Sequence, residues 1–528
     1  MKKIFYVLLL ALFATVMLAC GEESYSFSIN VDNYVELRNS IVLELTLNDE
    51  ANELEKSEFK GTISKKGSST VIKTKTIKFD DNNYEEVTFD GLTADTEYDV
   101  VIYVSYNGAQ INLVTKTYKT TTSGTEEKPY EISTFADLKN VLGKDRDAHF
   151  ILANDIDCEG KSLDPLFTNS EPFIGILDGN GKTIKNLTFK DNSETIRYHG
   201  LLGYIGQAAH VFNLTLENFN YDVTRASSLG TSKASYYGVL AGFCSGKVEN
   251  VKVVSSSLTI TSKEDSKDLI YVGGVFGNLA AFGNVDTLNA EVDVTVNACF
   301  DATVGGVVGL NGTSQSTDKA VLSNADYNGD IKVNITGDES VDAVTNIGGI
   351  VGLNYKATVS NSTSTGLIEL TTKLTTVKDV IVNLGGLVGW NLSDNGVVSH
   401  SISRNSIFVE TFDSPKNEEE KYTLNIGLLA GKVGGDSVTP RARIVECSYE
   451  LPEGATETHV LVNVINNPNV VVSHGLVGLL KSSAEWQSYK SLSDLFFNIQ
   501  NYKYELPEGA TEGSYVVDGE LVKHAINK

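Results

Sequence analysis

Cationic charge is scarce in this chain. Lys and Arg number 43 against 68 acidic residues, for a formal net charge of −25 and an isoelectric point near 4.7. That balance excludes nucleic-acid binding, which needs a basic footprint on the phosphates. It leaves cationic partners, divalent ions and neutral glycans open, and an acidic solvated surface also keeps a secreted protein dispersed. Cysteine is scarce too. The four beyond Cys20, namely Cys158, Cys244, Cys299 and Cys447, lie far apart without a C-x-x-C pair, so neither a disulfide scaffold nor a zinc site can be read from them. Long apolar runs are missing after the first 18 residues, which leaves no transmembrane helix in the remainder. Eight prolines and two methionines beside 46 glycines describe a strand-and-turn protein with room for two or more domains.

Catalytic motifs are absent as well. There is no His-Glu-x-x-His and no G-x-S-x-G, and Gly181-Lys182-Thr183 is no P-loop because Ile176 stands where its first glycine belongs. Asp178-Gly179-Asn180-Gly181 reads as a β-turn. The acids Asp155 with Asp157 and Asp80 with Asp81 fall in a strand-like alternation and in a turn. Arg404 and Arg441 read as isolated loop cations. These patterns yield no catalytic residue, no cofactor and no metal site.

What is present is a repeat. Gly273-Gly274-Val275-Phe276-Gly277 recurs as Gly305 to Gly309, Gly348 to Gly352 and Gly385 to Gly389. Looser copies run Gly200 to Gly203, Gly238 to Gly242, Gly427 to Gly431 and Gly475 to Gly478. The closing glycines, Gly203, Gly242, Gly277, Gly309, Gly352, Gly389, Gly431 and Gly478, lie 32 to 47 residues apart, the mark of a stacked array. Glycine at a sharp corner supplies either positive φ or close backbone approach. Downstream of each signature an asparagine slot recurs at Asn213, Asn250, Asn324 and Asn361, with Thr287, His400 and Cys447 in other copies. Amides in one slot of successive coils can hydrogen-bond up and down the stack. Alternating strands such as Ile331 to Ile335 follow, so each repeat reads as strand, corner, strand. The expected fold is all-β, a β-solenoid and specifically a right-handed β-helix.

The strings GGIVGLN, GGVVGLN and GGLVGWN resemble the GLUG-motif repeats of bacterial surface proteins. Residues 129 to 189 resemble the segment that often precedes such repeats. The resemblance covers about 350 residues and implies extracellular placement with adhesin-like or accessory roles; it implies no single chemistry.

Met1-Lys2-Lys3, the apolar run Ile4 to Leu18 and Ala19-Cys20 have the order of a secretory signal. A small residue before cysteine resembles a bacterial lipobox. Residues 1–19 are thus expected to be a lipoprotein signal, Cys20 the lipidation site and 20–23 a tether. Residues 24–122 read as an immunoglobulin-like sandwich. Within it, Gly91 to Tyr98 resembles the corner before the sixth strand of fibronectin type III domains, although Ala94 replaces the usual proline and tryptophan is missing. Residues 123–128 form a linker, 129–198 an N-terminal cap with the first coils, 199–480 the repeat solenoid, and 481–528 a cap and tail. Helices are expected at Thr134 to Leu142, with Thr134 and Asp137 at capping-box spacing, and at Ser491 to Gln500. The peptide YELPEGATE occurs twice, at Tyr449 and Tyr504, and reads as a local duplication.

These features predict a monomeric lipoprotein of the bacterial cell envelope. It is held in the outer membrane, surface-exposed, by its lipid alone, and its solenoid binds a glycan or protein. The candidate loops, chosen for length and polarity, are Asp222 to Ser235 with Tyr221 and Arg225, and Asp413 to Tyr422. Two alternatives stand beside it: a polysaccharide lyase or glycoside hydrolase on a β-helix, which needs clustered carboxylates or a carboxylate with a cation, and a structural spacer that binds nothing.

Overall fold

The computed structural model describes residues 26–480 apart from 55–56, 190–195, 225–233, 263–268, 299–300, 314–317, 338–342, 375–379, 393–395, 412–421, 436–441, 454–459 and 465–469, together with 504–505, 515–517 and 520–522. The signal segment, Cys20, Cys299, Arg225, Arg441 and the helix expected at Ser491 to Gln500 lie outside the described residues. The chain divides into two compact units, Met1–Lys128 and Pro129–Lys528. Among the described residues no helix is long and apolar enough to cross a membrane.

The first unit is a β-sandwich. Its strands are β1 (Phe27–Glu36), β2 (Ile41–Asp49), β3 (Phe59–Lys65), β4 (Val71–Ile77), β5 (Tyr84–Phe89), β6 (Glu97–Tyr106) and β7 (Ala109–Lys119). One sheet has the order β1-β2-β5 and the other β4-β3-β6-β7, with antiparallel neighbours throughout. Alternation along β6 sends Tyr98, Val100, Ile102 and Val104 inward, where they meet Leu43, Leu45 and Phe89. Before β6, the buried Tyr98 hydroxyl accepts the Thr93 backbone N–H at 2.8 Å, which pins the crossing between sheets.

The second unit is a β-solenoid. A short strand, Tyr130–Ile132, precedes helix α1 (Phe135–Asn140), which carries the expected capping box between Thr134 and Asp137 and buries Leu138. From there the chain winds through two parallel sheets, of 20 and 14 strands among the described residues. The 20-stranded outer sheet follows the period-2 pattern. Leu258, Val294, Ile331, Ile368 and Ile407 stack in register, each at most 1% exposed. Burying one such side chain contributes about 1.5–3 kcal/mol.

The 14-stranded sheet carries the glycine signatures. In most coils an entering strand such as Ala343–Gly348 leads into the glycines and a leaving strand such as Val351–Tyr355 follows them, while Tyr422–Val433 and Val470–Leu480 run through the signature as single strands. The opening glycines Gly273, Gly305, Gly348, Gly385, Gly427 and Gly475 pair in register from coil to coil. Their role is close approach rather than unusual dihedrals, since in the four clearest copies none has positive φ. A Cβ on Gly348 would lie 2.6 Å from the Gly389 nitrogen of the next coil, and one on Gly389 would lie 2.6 Å from the Ile347 nitrogen of the coil before. The signature is therefore a hook in which entering and leaving strands touch backbone to backbone. Only in the first copy does a signature glycine also need the left-handed region, as Gly203 does at φ +64°.

The asparagine slot has a different purpose from the one its spacing suggests. Asn213, Asn250, Thr287, Asn324, Asn361 and His400 all have φ between 50° and 57°. Asparagine tolerates this left-handed conformation better than most side chains, so the slot is a corner in the outer sheet. Side-chain laddering within it is partial. Asn250 donates to Asn213 at 2.8 Å, Asn324 donates instead to Asp286 at 2.6 Å, and His400 pairs with Glu446 at 2.7 Å. Glu446, with φ 51°, is the slot residue of its coil; Cys447 lies one residue beyond it and faces inward. The continuous amide ladders are elsewhere. The signature-linked Asn311, Asn354 and Asn391 form one, with contacts of 2.9 and 2.8 Å. Asn346, Asn383 and Asn425 of the entering strands form the other, also at 2.9 and 2.8 Å.

Candidate binding surface

The residues singled out for binding fall mainly inside the protein. Tyr221 is 1% exposed, stacks on Phe189 with centroids 4.0 Å apart and donates its hydroxyl to the Val239 carbonyl at 3.3 Å. It shares the parity of the inward column headed by Leu258, which its polar sequence neighbours conceal. Tyr422 is likewise 1% exposed and donates to Thr372 Oγ1 at 3.0 Å. Both are core residues rather than ligand contacts. The chain between Thr224 and Ala234, with Arg225, and the chain before Tyr422 fall outside the described residues.

Asp155, Asp157, Asp80 and Arg404, among the residues weighed for catalysis, have structural partners. Asp155 accepts the Thr183 N–H at 2.9 Å. Asp157 accepts from Asn186 Nδ2 at 2.8 Å and from the Glu159 N–H at 2.9 Å, and these contacts hold its carboxyl below the usual range. Asp80 closes a turn by accepting from the Asn82 and Tyr84 N–H groups. At Asp178 to Lys182 the Lys182 N–H reaches the Gly179 carbonyl at 2.7 Å with Asn180 and Gly181 at positive φ, the expected β-turn. Arg404 is not an isolated loop cation: it lies in the strand Ile402–Thr411 and pairs with Glu450 at 2.7 Å. Cys158, Cys244 and Cys447 are free thiols. Burial pushes Cys244 up to about 12 and the other two up to about 11, which leaves them poor nucleophiles. Among the described residues no three His, Cys, Asp or Glu side chains are grouped to hold a metal ion.

A surface the sequence did not announce lies on the hook sheet. In the entering strands Tyr198, Tyr236 and Tyr271 stand in register and stack, with centroid spacings of 5.3 and 5.1 Å and interplanar angles of 8° and 10°. In the leaving strands Tyr204 and Phe243 stack at 4.3 Å. The two stacks meet edge to face, with Tyr198 5.0 Å from Tyr204 and 5.8 Å from Phe243. All five rings are partly exposed. Offset and edge-to-face contacts at these distances are favourable beyond simple burial, about 0.5–1.5 kcal/mol each. Burial lifts the phenols of Tyr198, Tyr236 and Tyr271 above their ordinary value and that of Tyr204 to about 12. All four are neutral donors at physiological pH. The stacks were hidden in the sequence because each ring is 35 to 39 residues from its neighbour, a distance that becomes one coil spacing only after folding. Beyond Tyr271 the same column continues as Thr303, Asn346, Asn383 and Asn425, so an aromatic column passes into an amide ladder.

Asp301 lies at the downstream end of the tyrosine stack, where its charge acts on Tyr271 and its carboxylate accepts the Val344 N–H. Burial raises its carboxyl to about 6 from 3.8. A group raised in this way contributes stability that is complete below the unfolded value and is lost as pH climbs through about 6. Asp301→Asn keeps an acceptor for Val344 and removes the buried charge. The variant is expected to melt at the wild-type temperature near pH 3 and above it at pH 8. The difference at pH 8 corresponds to about 3 kcal/mol at most, since one pKa unit is worth about 1.4 kcal/mol. Equal melting temperatures for variant and wild type at pH 8 would show that Asp301 carries no such burden.

These coils define the class: a β-solenoid of glycine-hook repeats with a partly exposed aromatic column. Residues 343–370 match the GLUG motif, a span that runs from an entering strand through the hook and the Asn361 corner into the outer sheet. The chain thus carries a GLUG motif at one of its hooks. It is similar to halomucin of Haloquadratum walsbyi, with 32% identity over 168 residues, which are 29% of this chain and 2% of halomucin. It is similar also to a putative Gly-rich membrane protein of Evansella cellulosilytica, with 36% identity over 139 residues, 25% of this chain and 15% of that protein. The chain therefore covers only a small part of either relative's length.

Proposed function

We propose that this protein is a cell-surface lipoprotein that binds rather than transforms its ligand, an adhesin-like module tethered through lipid on Cys20. The observation that carries this reading is the pairing of a stacked, partly exposed aromatic column with acids, Asp80, Asp155 and Asp157, that already accept backbone and amide N–H groups. A binding surface needs preorganised rings and hydroxyls, whereas hydrolysis needs an acid and a base left free to act on substrate. The signal-like start and Ala19-Cys20 support lipid anchoring in the cell envelope. The names of the two relatives, halomucin and a putative Gly-rich membrane protein, are in keeping with an envelope location. The first unit is read as a fibronectin type III-like domain on the strength of its seven strands and its Tyr98 corner.

Two experiments test the reading. Cys20→Ser is expected to abolish lipid labelling and release the protein from the membrane fraction; retention of both would rule out the anchor. In native gels cast with mucin, matrix glycans or microbial polysaccharides, the protein is expected to be retarded with the polymer left intact. A cleared zone would make it an enzyme, and unaltered migration on every polymer, together with no retention on intact cells, would make it a spacer.

A further inference from the structure

We propose that the tyrosine column Tyr198, Tyr236 and Tyr271 is the ligand-contacting element of this surface, and that it takes a neutral, extended polysaccharide along the solenoid axis. This rests on the binding reading above and names its site and ligand class. Three features of the column select that ligand. First, none of the three hydroxyls has a hydrogen-bond partner among the described residues, while within the solenoid the hydroxyls of the buried Tyr221, Tyr327 and Tyr422 all do. The column offers an unspent row of donor–acceptors. Second, the middle ring is covered on both faces by its neighbours, so what the partly exposed column presents is ring edges rather than broad apolar faces. A flat apolar ligand gains little there, whereas a polymer of hydroxyl groups gains a contact at each coil. The column repeats at 5.3 and 5.1 Å, comparable to the length of one pyranose unit; same-face side chains of an extended peptide repeat at about 6.6 Å and fall out of step. Third, the net charge of −25 and the Asp301 carboxyl beside Tyr271 oppose a polyanion, while Arg197, whose charge acts on Tyr198 and Tyr236, offsets Asp301 locally, so an uncharged polymer fits the column best.

The stacking holds the rings in place before the ligand arrives, which lowers the ordering cost of binding. Tyr204 and Phe243 buttress Tyr198 from the leaving strands.

The test uses the full-length protein in detergent and a fold-preserving variant. Tyr198→Phe, Tyr236→Phe and Tyr271→Phe together keep every ring and every stack and remove only the hydroxyl row. Affinity gels containing galactomannan, xyloglucan or mixed-linkage β-glucan report the apparent Kd, and circular dichroism melting reports the fold. At unchanged melting temperature, binding to the polymer that retards the wild type is expected to weaken at least tenfold. Equal retardation of wild type and variant would overturn the column as the site while leaving the binding function intact. Retardation of the wild type by alginate or polygalacturonate and by none of the neutral polymers would overturn the ligand class. Retardation by no polysaccharide, with retention on a protein ligand, would overturn the inference and leave an adhesin of another kind.

Discussion

Gly348→Val is expected to unfold the central coils. A Cβ at Gly348 would lie 2.6 Å from the Gly389 nitrogen and closer still to the Val351 carbonyl oxygen. Both neighbours are backbone, so no side chain can rotate away. The clash is shared between two coils, because Gly389 is in turn pressed against Ile347. Relief requires the entering and leaving strands to separate, which breaks the ladders from Gly348 to Gly385 and from Val351 to Val388. A lesion of this kind belongs to the overpacking class at its extreme, and a loss above about 4 kcal/mol is expected. Because each coil leans only on its neighbours, damage should propagate locally along the stack. Thermal melting and limited proteolysis check this: the variant should be cleaved near the middle of the solenoid at temperatures where the wild type resists. A melting temperature within a degree or two of wild type would show that the hook has room the geometry denies.

Asn383→Leu is expected to have the next largest effect. Asn383 is fully buried, donates to Asn346 Oδ1 at 2.9 Å and accepts from Asn425 Nδ2 at 2.8 Å. Leucine is close in volume, so little cavity forms and the cost isolates the polar term. One acceptor and one donor are left buried without a partner, at about 1–3 kcal/mol each, for a total of roughly 2–6 kcal/mol. Asn383→Gln would keep the amide but overfill the column, so it is not the neutral comparison. The better comparison is Asn250→Gly, which keeps the left-handed corner at φ 50°, and whose partner Asn213 can turn to water, so that its loss should cost far less. Chemical denaturation of both variants measures the gap. Similar midpoints would mean that water replaces the buried ladder.

Much of the architecture is legible before folding. Glycine signatures at a recurring interval announce a stack, and alternating apolar residues announce the inward columns. Thr134 and Asp137 announce a helix start, and Tyr98 announces a sandwich corner. The pattern misleads where one residue type serves two purposes. Asparagine in the recurrent slot suggests an amide ladder, yet its positive φ makes it a corner, while the asparagine ending GGIVGLN builds the ladder. A varying interval between repeats points to Cys447 for that slot, but Glu446 fills it. Polar segments beside Tyr221 and Tyr422 suggest loops, but strand parity turns both side chains inward.

Periodicity and glycine placement are local properties of the chain, so the repeat, its β character and the two-part division follow from the order of residues alone. Which residues meet across coils became fixed only on folding. Whether a tyrosine stacks on another 35 or 38 residues away, or an amide finds its partner in the next coil, depends on the register between strands. Register is set by the lengths of the intervening loops and the fit of the whole core. The hook, the two amide ladders and the tyrosine column all arise from that alignment, because stacking brings to about 5 Å groups that the chain keeps a full coil apart.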